Sequence, residues 1–219
     1  MRRSSRVTRA RILRAARALL NERGVGEVTV RDVALRACIS HGNLCYHFPN
    51  MGAVIEALYH ELVAESDAAT AGVVAGTPSM ALFYRLQAVV FDLMLKYRFL
   101  FLDLVAVFRT SPRLRRQLRA LKRRRAREFA GFVAWLDDHG LMGRERYAGE
   151  RELLFLQYDL MSDFWIGQAK IMGRGGPARA KALYQRVTFS ILLPHLSRTG
   201  LKQCGKLGFL EPVLVRGRS

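Results

Sequence analysis

Between Ser40 and His47 the chain runs Ser-His-Gly-Asn-Leu-Cys-Tyr-His, and between Arg113 and Arg127 it carries nine basic residues and no acid. The chemistry these types offer is binding. An asparagine can pair adenine, a histidine can donate to a base or a phosphate, and clustered Lys and Arg displace counterions from a polyanion. What bond-making requires is missing: no paired carboxylates, no Gly-rich phosphate loop and no metal-ligand spacing stand out. His41, His47 and His60 fall on or beside the first run, while His139 and His195 sit near expected helix ends. Catalytic residues, cofactors and metals are therefore expected to be none, and the chain is not read as an enzyme. Cys38, Cys45 and Cys204 form no CxxC pair and leave an odd count, which suits a reducing cytosol.

The 219 residues hold 36 Lys and Arg against 18 Asp and Glu, a net charge of +18 with a pI near 10.9, and half of them are hydrophobic. That balance excludes a disordered tail and a collagen-like fibre and points to a polyanionic partner, with nucleic acid ahead of a membrane surface. The longest uncharged stretch lies between Asp67 and Arg85 and contains Gly72, Gly76 and Pro78, so no membrane span is expected. The opening Met-Arg-Arg-Ser-Ser-Arg leads into an amphipathic helix instead of an apolar signal core. A cytoplasmic protein follows as the expectation.

Helices must position these residues. Ile12, Ala15, Ala16, Leu19 and Leu20 share one face of a helix over about 8–23, closed by Gly24. Thr29 with Asp32 three residues on caps a second short helix carrying Val33, Ala34 and Ala37. Ser40 caps a third, whose Leu44 and Phe48 point inward before Pro49. The layout is helix, turn, helix. A fourth helix carries Val54, Ile55, Leu58, Leu62 and Val63 and frays toward a small-residue stretch at 68–78, the best domain boundary. Further helical patterns fall at about 79–97, 99–109, 112–139, 150–173 and 177–198. The fold class is all-α, about nine helices, with a helix-turn-helix domain at 1–62, a larger helical domain at 63–200 and an irregular tail at 201–219.

The segment Thr29-Val-Arg-Asp-Val-Ala-Leu-Arg-Ala-Cys-Ile-Ser-His-Gly-Asn-Leu-Cys-Tyr-His-Phe-Pro-Asn50 resembles the DNA-binding region of the TetR family of bacterial transcription regulators, with a recognition helix at about 40–48. The match extends over about 8–62, and the remainder has the length and layout of that family's ligand-binding and dimerisation domain. The run Tyr97–Asp103 and the Ser-Pro-Arg-Leu at 111–114 are similar to one branch of the family that carries Gly-Asn-Leu in this helix. The resemblance implies DNA contacts by Thr29, Arg31, Ser40, His41, Gly42, Asn43, Cys45, Tyr46 and His47, around a small core of Ile39, Leu44 and Phe48. It implies a homodimer on a palindromic operator, because two reading heads must lie one DNA turn or its multiples apart. A small molecule in the helical domain would release the DNA, making the protein a repressor.

Three positions depart from the family pattern: Cys38 stands where Gly is usual, Cys45 where a phosphate-contacting Tyr is usual, and Met51 where Lys is usual. Weaker or altered DNA binding is expected, and an alternative follows: a dimeric interaction or sensor protein whose reading head no longer binds specific DNA. The 113–127 block, striped by Leu114, Leu118 and Leu121, is read first as a solvated helix face and second as extra DNA contact or an anionic ligand site. Candidates to line a ligand pocket are Phe91, Met94, Phe101, Phe108, Trp135, Tyr158, Met161, Phe164, Trp165 and Gln168. Candidates for the dimer interface are Leu153, Leu156, Leu160, Leu183, Val187 and Ile191, since the last two helices have more apolar surface than one helix pair needs. Asp103, Asp159 and Asp163 fall in apolar patterns, so each should be salt-bridged to a nearby arginine, the first reading, or face a wet cavity.

Overall fold

The computed structural model describes residues 2–74, 79–173 and 176–207. Among the described residues there are eleven α-helices, one 3-10 turn and no strand, and the chain divides into two compact units. The first comprises Met1–Ala68 and Leu93–Arg119, the second Ala69–Asp92 and Ala120–Ser219. This division differs from a boundary near residue 62, because 93–119 joins the N-terminal unit. No helix among the described residues is long and apolar enough to cross a membrane.

In the first unit, α1 (Arg2–Arg23) buries Ile12, Leu13, Ala16, Leu19 and Leu20 and packs on α2 (Val30–Arg36), which packs in turn on α3 (His41–His47). Leu44 and Phe48 seat α3, and Val54 and Leu58 extend the core into α4 (Met51–Val74). After the part of α5 (Met80–Lys96) that belongs to this unit come α6 (Arg98–Leu102) and α7 (Leu104–Thr110). These two short helices replace the single one expected at 99–109. Asp103 separates them, its carboxylate turned to accept the Val25 N–H at 3.1 Å. Asn21 pins the same segment to α1, donating to the Lys96 carbonyl at 2.9 Å and accepting the Phe99 N–H at 3.1 Å. Beside it Tyr97 is fully buried, with its hydroxyl donating to Glu65 at 2.9 Å and accepting from Arg17 at 3.2 Å. Burial and the Glu65 carboxylate push the Tyr97 phenol upward. Burial also pushes Glu65 up, but Lys96 and Tyr97 outweigh it and hold the carboxyl below its usual range.

The second unit holds the rest of α8 (Pro112–Asp138), then α9 (Glu150–Ile171), α10 (Pro177–Ser190), a 3-10 turn (Leu193–His195) and α11 (Arg198–Gly205). Phe83 centres its core, stacked on Phe132 at 4.7 Å and flanked by Tyr158 and Phe189. Two turns along α5, Phe91 stacks on Trp165 at 4.7 Å, with Tyr184 beyond at 5.9 Å. Helix α11 corrects the expectation of irregular structure from Leu201; residues 208–219 lie outside the described residues. Its start is fixed locally. Ser197 accepts the Gly200 N–H at 3.1 Å, and a Cβ at Gly200 would stand 2.3 Å from the Leu141 carbonyl oxygen, so only glycine fits. Cys204 is wholly buried at its end, and burial pushes the thiol up to about 11.

Candidate nucleic-acid interface and helical-domain sites

The helix-turn-helix is built by its caps. Thr29 accepts the Asp32 N–H at 3.2 Å and donates its own N–H to Asp32 at 2.8 Å, a closed capping box. Those bonds from Thr29 hold the Asp32 carboxyl below its ordinary value. Ser40 accepts the Asn43 N–H at 3.1 Å, and Asn50 accepts the Ala53 N–H at 3.0 Å, so α3 and α4 are capped as well. In the turn between α2 and α3, Cys38 has φ +51°, the left-handed region where a non-glycine residue costs about 1–2 kcal/mol.

With Leu44 buried beneath it, α3 turns the remaining candidates outward. Thr29, Arg31, Ser40, His41, Gly42 and Asn43 are exposed, Tyr46 is 83 % exposed, and Cys45 and His47 are half-buried. His41 and Cys45 share one row, with Sγ 3.6 Å from Nε2. The Tyr46 and His47 rings meet edge to face at 5.3 Å. Arg9 of α1 lies over the Phe48 ring at 5.2 Å, bringing an N-terminal arginine to the end of α3. Seven of the nine candidates are therefore exposed, and a side chain at Gly42 would meet nothing within 4 Å.

The ten pocket candidates do not form one group. Met94, Phe101 and Phe108 belong to the first unit, where Phe108 packs edge-on to Tyr59. In the second unit Phe91 and Trp165 are buried and stacked, Tyr158 lies in the Phe83 cluster, Met161 is half-buried, and Trp135 stacks on His139 at 3.9 Å. Phe164 and Gln168 are exposed, correcting the expectation that they face the core. The reason is that α9 has apolar residues on two faces: Leu154, Trp165 and Ile166 point inward, while Leu153, Leu156, Leu160 and Phe164 form an outward row, each 47–51 % exposed. Val187 on α10 is also exposed. Leu183 is half-buried and Ile191 packs on the core, so these two dimer candidates are turned further inward than the row on α9.

Asp159 and Asp163 both meet Lys122, at 2.6 and 2.7 Å, salt-bridged as expected for acids in apolar patterns but with a lysine as the cation. Burial still pushes Asp163 up, against the pull of Lys122. Asp103 uses a backbone N–H instead. Missing from the candidates are Gln87 and Thr188, each buried to about 1 % exposure or less. Both ends of the Gln87 amide, Thr188 Oγ1 and Trp165 Nε1 are buried without a hydrogen bond of good geometry, although Gln87 lies beside the Tyr158 hydroxyl. The sequence did hold a signal for Gln87, a lone amide in the run Leu86-Gln-Ala-Val-Val-Phe91.

Two family models match the chain: that of bacterial regulatory proteins of the tetR family over residues 12–58, and that of a TetR bacterial transcriptional repressor over 58–204. No curated protein matches. Among solved structures, a TetR-family regulator from Marinobacter aquaeolei superposes with a TM-score of 0.80 at 23% identity, covering 91% of this chain and 96% of that one. A regulator from Saccharomonospora viridis in complex with choline gives 0.69 at 18% identity over 87% and 98%. The fatty acid degradation regulator FadR from Bacillus halodurans gives 0.66 at 16% over 86% and 97%. With its helix-turn-helix and its helical remainder both matched, the chain belongs to the TetR family of bacterial transcriptional regulators.

Proposed function

We propose that the chain is a homodimeric repressor that binds a palindromic operator through α3 and leaves it when a small molecule enters the second unit. The observation that carries the DNA half is the polar surface of α3, capped at its start by Ser40 and anchored by Leu44, with His41 and Asn43 exposed as candidates to meet base edges and Thr29 and Arg31 exposed as candidates to meet phosphate. The row Leu153, Leu156, Leu160 and Phe164 supplies an apolar face for the two-fold mate.

The ligand half rests on the orphaned groups. Gln87, Trp165 and Thr188 leave buried donors and acceptors unmade, each costing about 1–3 kcal/mol. A largely apolar molecule with one or two neutral hydrogen-bonding groups would satisfy them. Such a ligand shifts the population only through unequal affinity for the bound and released states.

The test is a footprint of the purified protein on the DNA flanking its own gene, at about physiological salt with excess random competitor. A protected palindrome is the expected result. Diffuse, salt-sensitive protection there and in a random-sequence selection would instead favour the dimeric sensor with a degenerate head. Cys45→Tyr with Met51→Lys, which adds one neutral and one cationic phosphate partner, should tighten binding, and the lysine alone should steepen the salt slope by about 1 in the same assay.

A further inference from the structure

The positive charge of the first unit is concentrated away from its helix-turn-helix. Residues 1–68 carry 10 Lys and Arg against 7 Asp and Glu, whereas residues 93–119, which the fold adds to that unit, carry 7 against 1. The net charge of the unit rises from +3 to +9 through this segment alone. Five of its arginines cluster at the α7–α8 corner: Arg109, Arg113, Arg115, Arg116 and Arg119, all exposed.

The corner is firmly placed. Pro112 opens α8, Ser111 accepts the Leu114 N–H at 3.2 Å, and Leu114 is buried. Arg113 meets Glu56 of α4 at 2.9 Å, and Gln117 meets His60 at 3.1 Å. Glu56 lies five residues into α4, about 8 Å along the axis from the end of the reading motif. Arg115 and Arg119 stand one turn apart with Arg116 beside them, and no acid occurs between Asp103 and Glu128 to neutralise them. Like charges at this spacing oppose the helix by a few tenths of a kcal/mol. Among the described residues no ion pair to Arg109, Arg115, Arg116 or Arg119 offsets that cost.

We propose that the α7–α8 corner, through Arg109, Arg115, Arg116 and Arg119, is a second phosphate-binding surface that grips the backbone of duplex DNA flanking the stretch read by α3. The occupant is the sugar-phosphate backbone because the exposed side chains are guanidinium groups, which match phosphate in charge and in fork geometry, with no acid near them in sequence. The surface supplies cations to a head that lacks a tyrosine at Cys45 and a lysine at Met51. It rests on the reading that α3 faces duplex DNA.

Salt titrations on duplexes of two lengths test it, one trimmed to the selected half-sites and one extended by about ten base pairs at each end. The wild type should bind the longer duplex more tightly. Arg115→Gln with Arg116→Gln and Arg119→Gln should lose that gain and flatten the slope of log K against log salt by about 2 to 3. A charge-matched control, Arg179→Gln with Arg198→Gln and Lys202→Gln in the second unit, should keep both wild-type behaviours. Arg115→Lys with Arg116→Lys and Arg119→Lys should restore most of the slope, which separates phosphate contact from misfolding. Equal slopes for the corner variant and the control, or a wild type indifferent to flank length, would overturn the proposal. So would loss of binding to phosphatidylglycerol vesicles with the DNA slope unchanged. If selection yields no operator, the reading of α3 fails, while the slope comparison on random duplex still decides the corner.

Discussion

In the helix-turn-helix, Thr29, Ser40 and Asn50 each cap a helix and Asp32 closes the box, whereas in the second unit Gln87, Trp165 and Thr188 keep polar atoms buried without a hydrogen bond of good geometry. A surface meant to meet rigid DNA gains from helix ends that are already satisfied and need no rearrangement. An interior that accepts a guest gains from groups whose bonding is completed on binding. The difference assigns order to one region and latent polarity to the other.

Substitutions can break or sharpen that contrast. Leu44→Ala should have the largest effect: deleting the fully buried anchor of α3 should cost about 3 kcal/mol and abolish DNA binding, read by thermal melting and mobility shift. Gln87→Leu with Thr188→Val removes three of the orphaned polar atoms and should stabilise the second unit by about 2 kcal/mol. The same variant should stop responding to effector while still binding DNA; a loss of stability would show those atoms to be satisfied. Cys38→Gly should stabilise the reading head by about 1 kcal/mol, because glycine accepts φ +51° without strain.

Acid titration should give the smallest signal, with opposite signs at two sites. The Glu65 carboxyl is held low, so its contribution is present above its ordinary pKa and is lost as pH falls through the lower folded value. Asp163 is raised, so its ionisation destabilises the fold near neutrality, and that penalty disappears as pH falls through the raised value. Glu65→Gln should therefore reduce the loss of stability on acidification, and Asp163→Asn should increase it, as measured by denaturant midpoints from pH 7 down through the ordinary carboxylate range to about pH 2.5.

Much of the head was legible in the sequence because its determinants are local. The Ile12, Ala16, Leu19 and Leu20 stripe, the Thr29–Asp32 box and the Ser40 cap all lie within a few turns of what they fix. The placement of 93–119 was not legible, since Asn21 pins Phe99 across 78 residues and no periodic pattern encodes that pairing. For the same reason the helix expected at 99–109 hid its break at Asp103, whose partner is Val25. In α9 both faces are apolar, so spacing alone could not separate inward Trp165 from outward Phe164. At the tail, α11 depends on Gly200 fitting beneath Leu141, a long-range shape match.

The three thiols differ enough to serve as a built-in instrument. Cys204 is buried and its thiol is pushed up to about 11, leaving it protonated and unreactive toward alkylating labels, while Cys38 is exposed and Cys45 half-exposed at the reading helix. A methanethiosulfonate spin label applied to Cys45→Ser would mark the turn before α3 alone. Pulsed dipolar spectroscopy on a labelled dimer would then report the separation of its two heads, with and without a small molecule, from a single substitution.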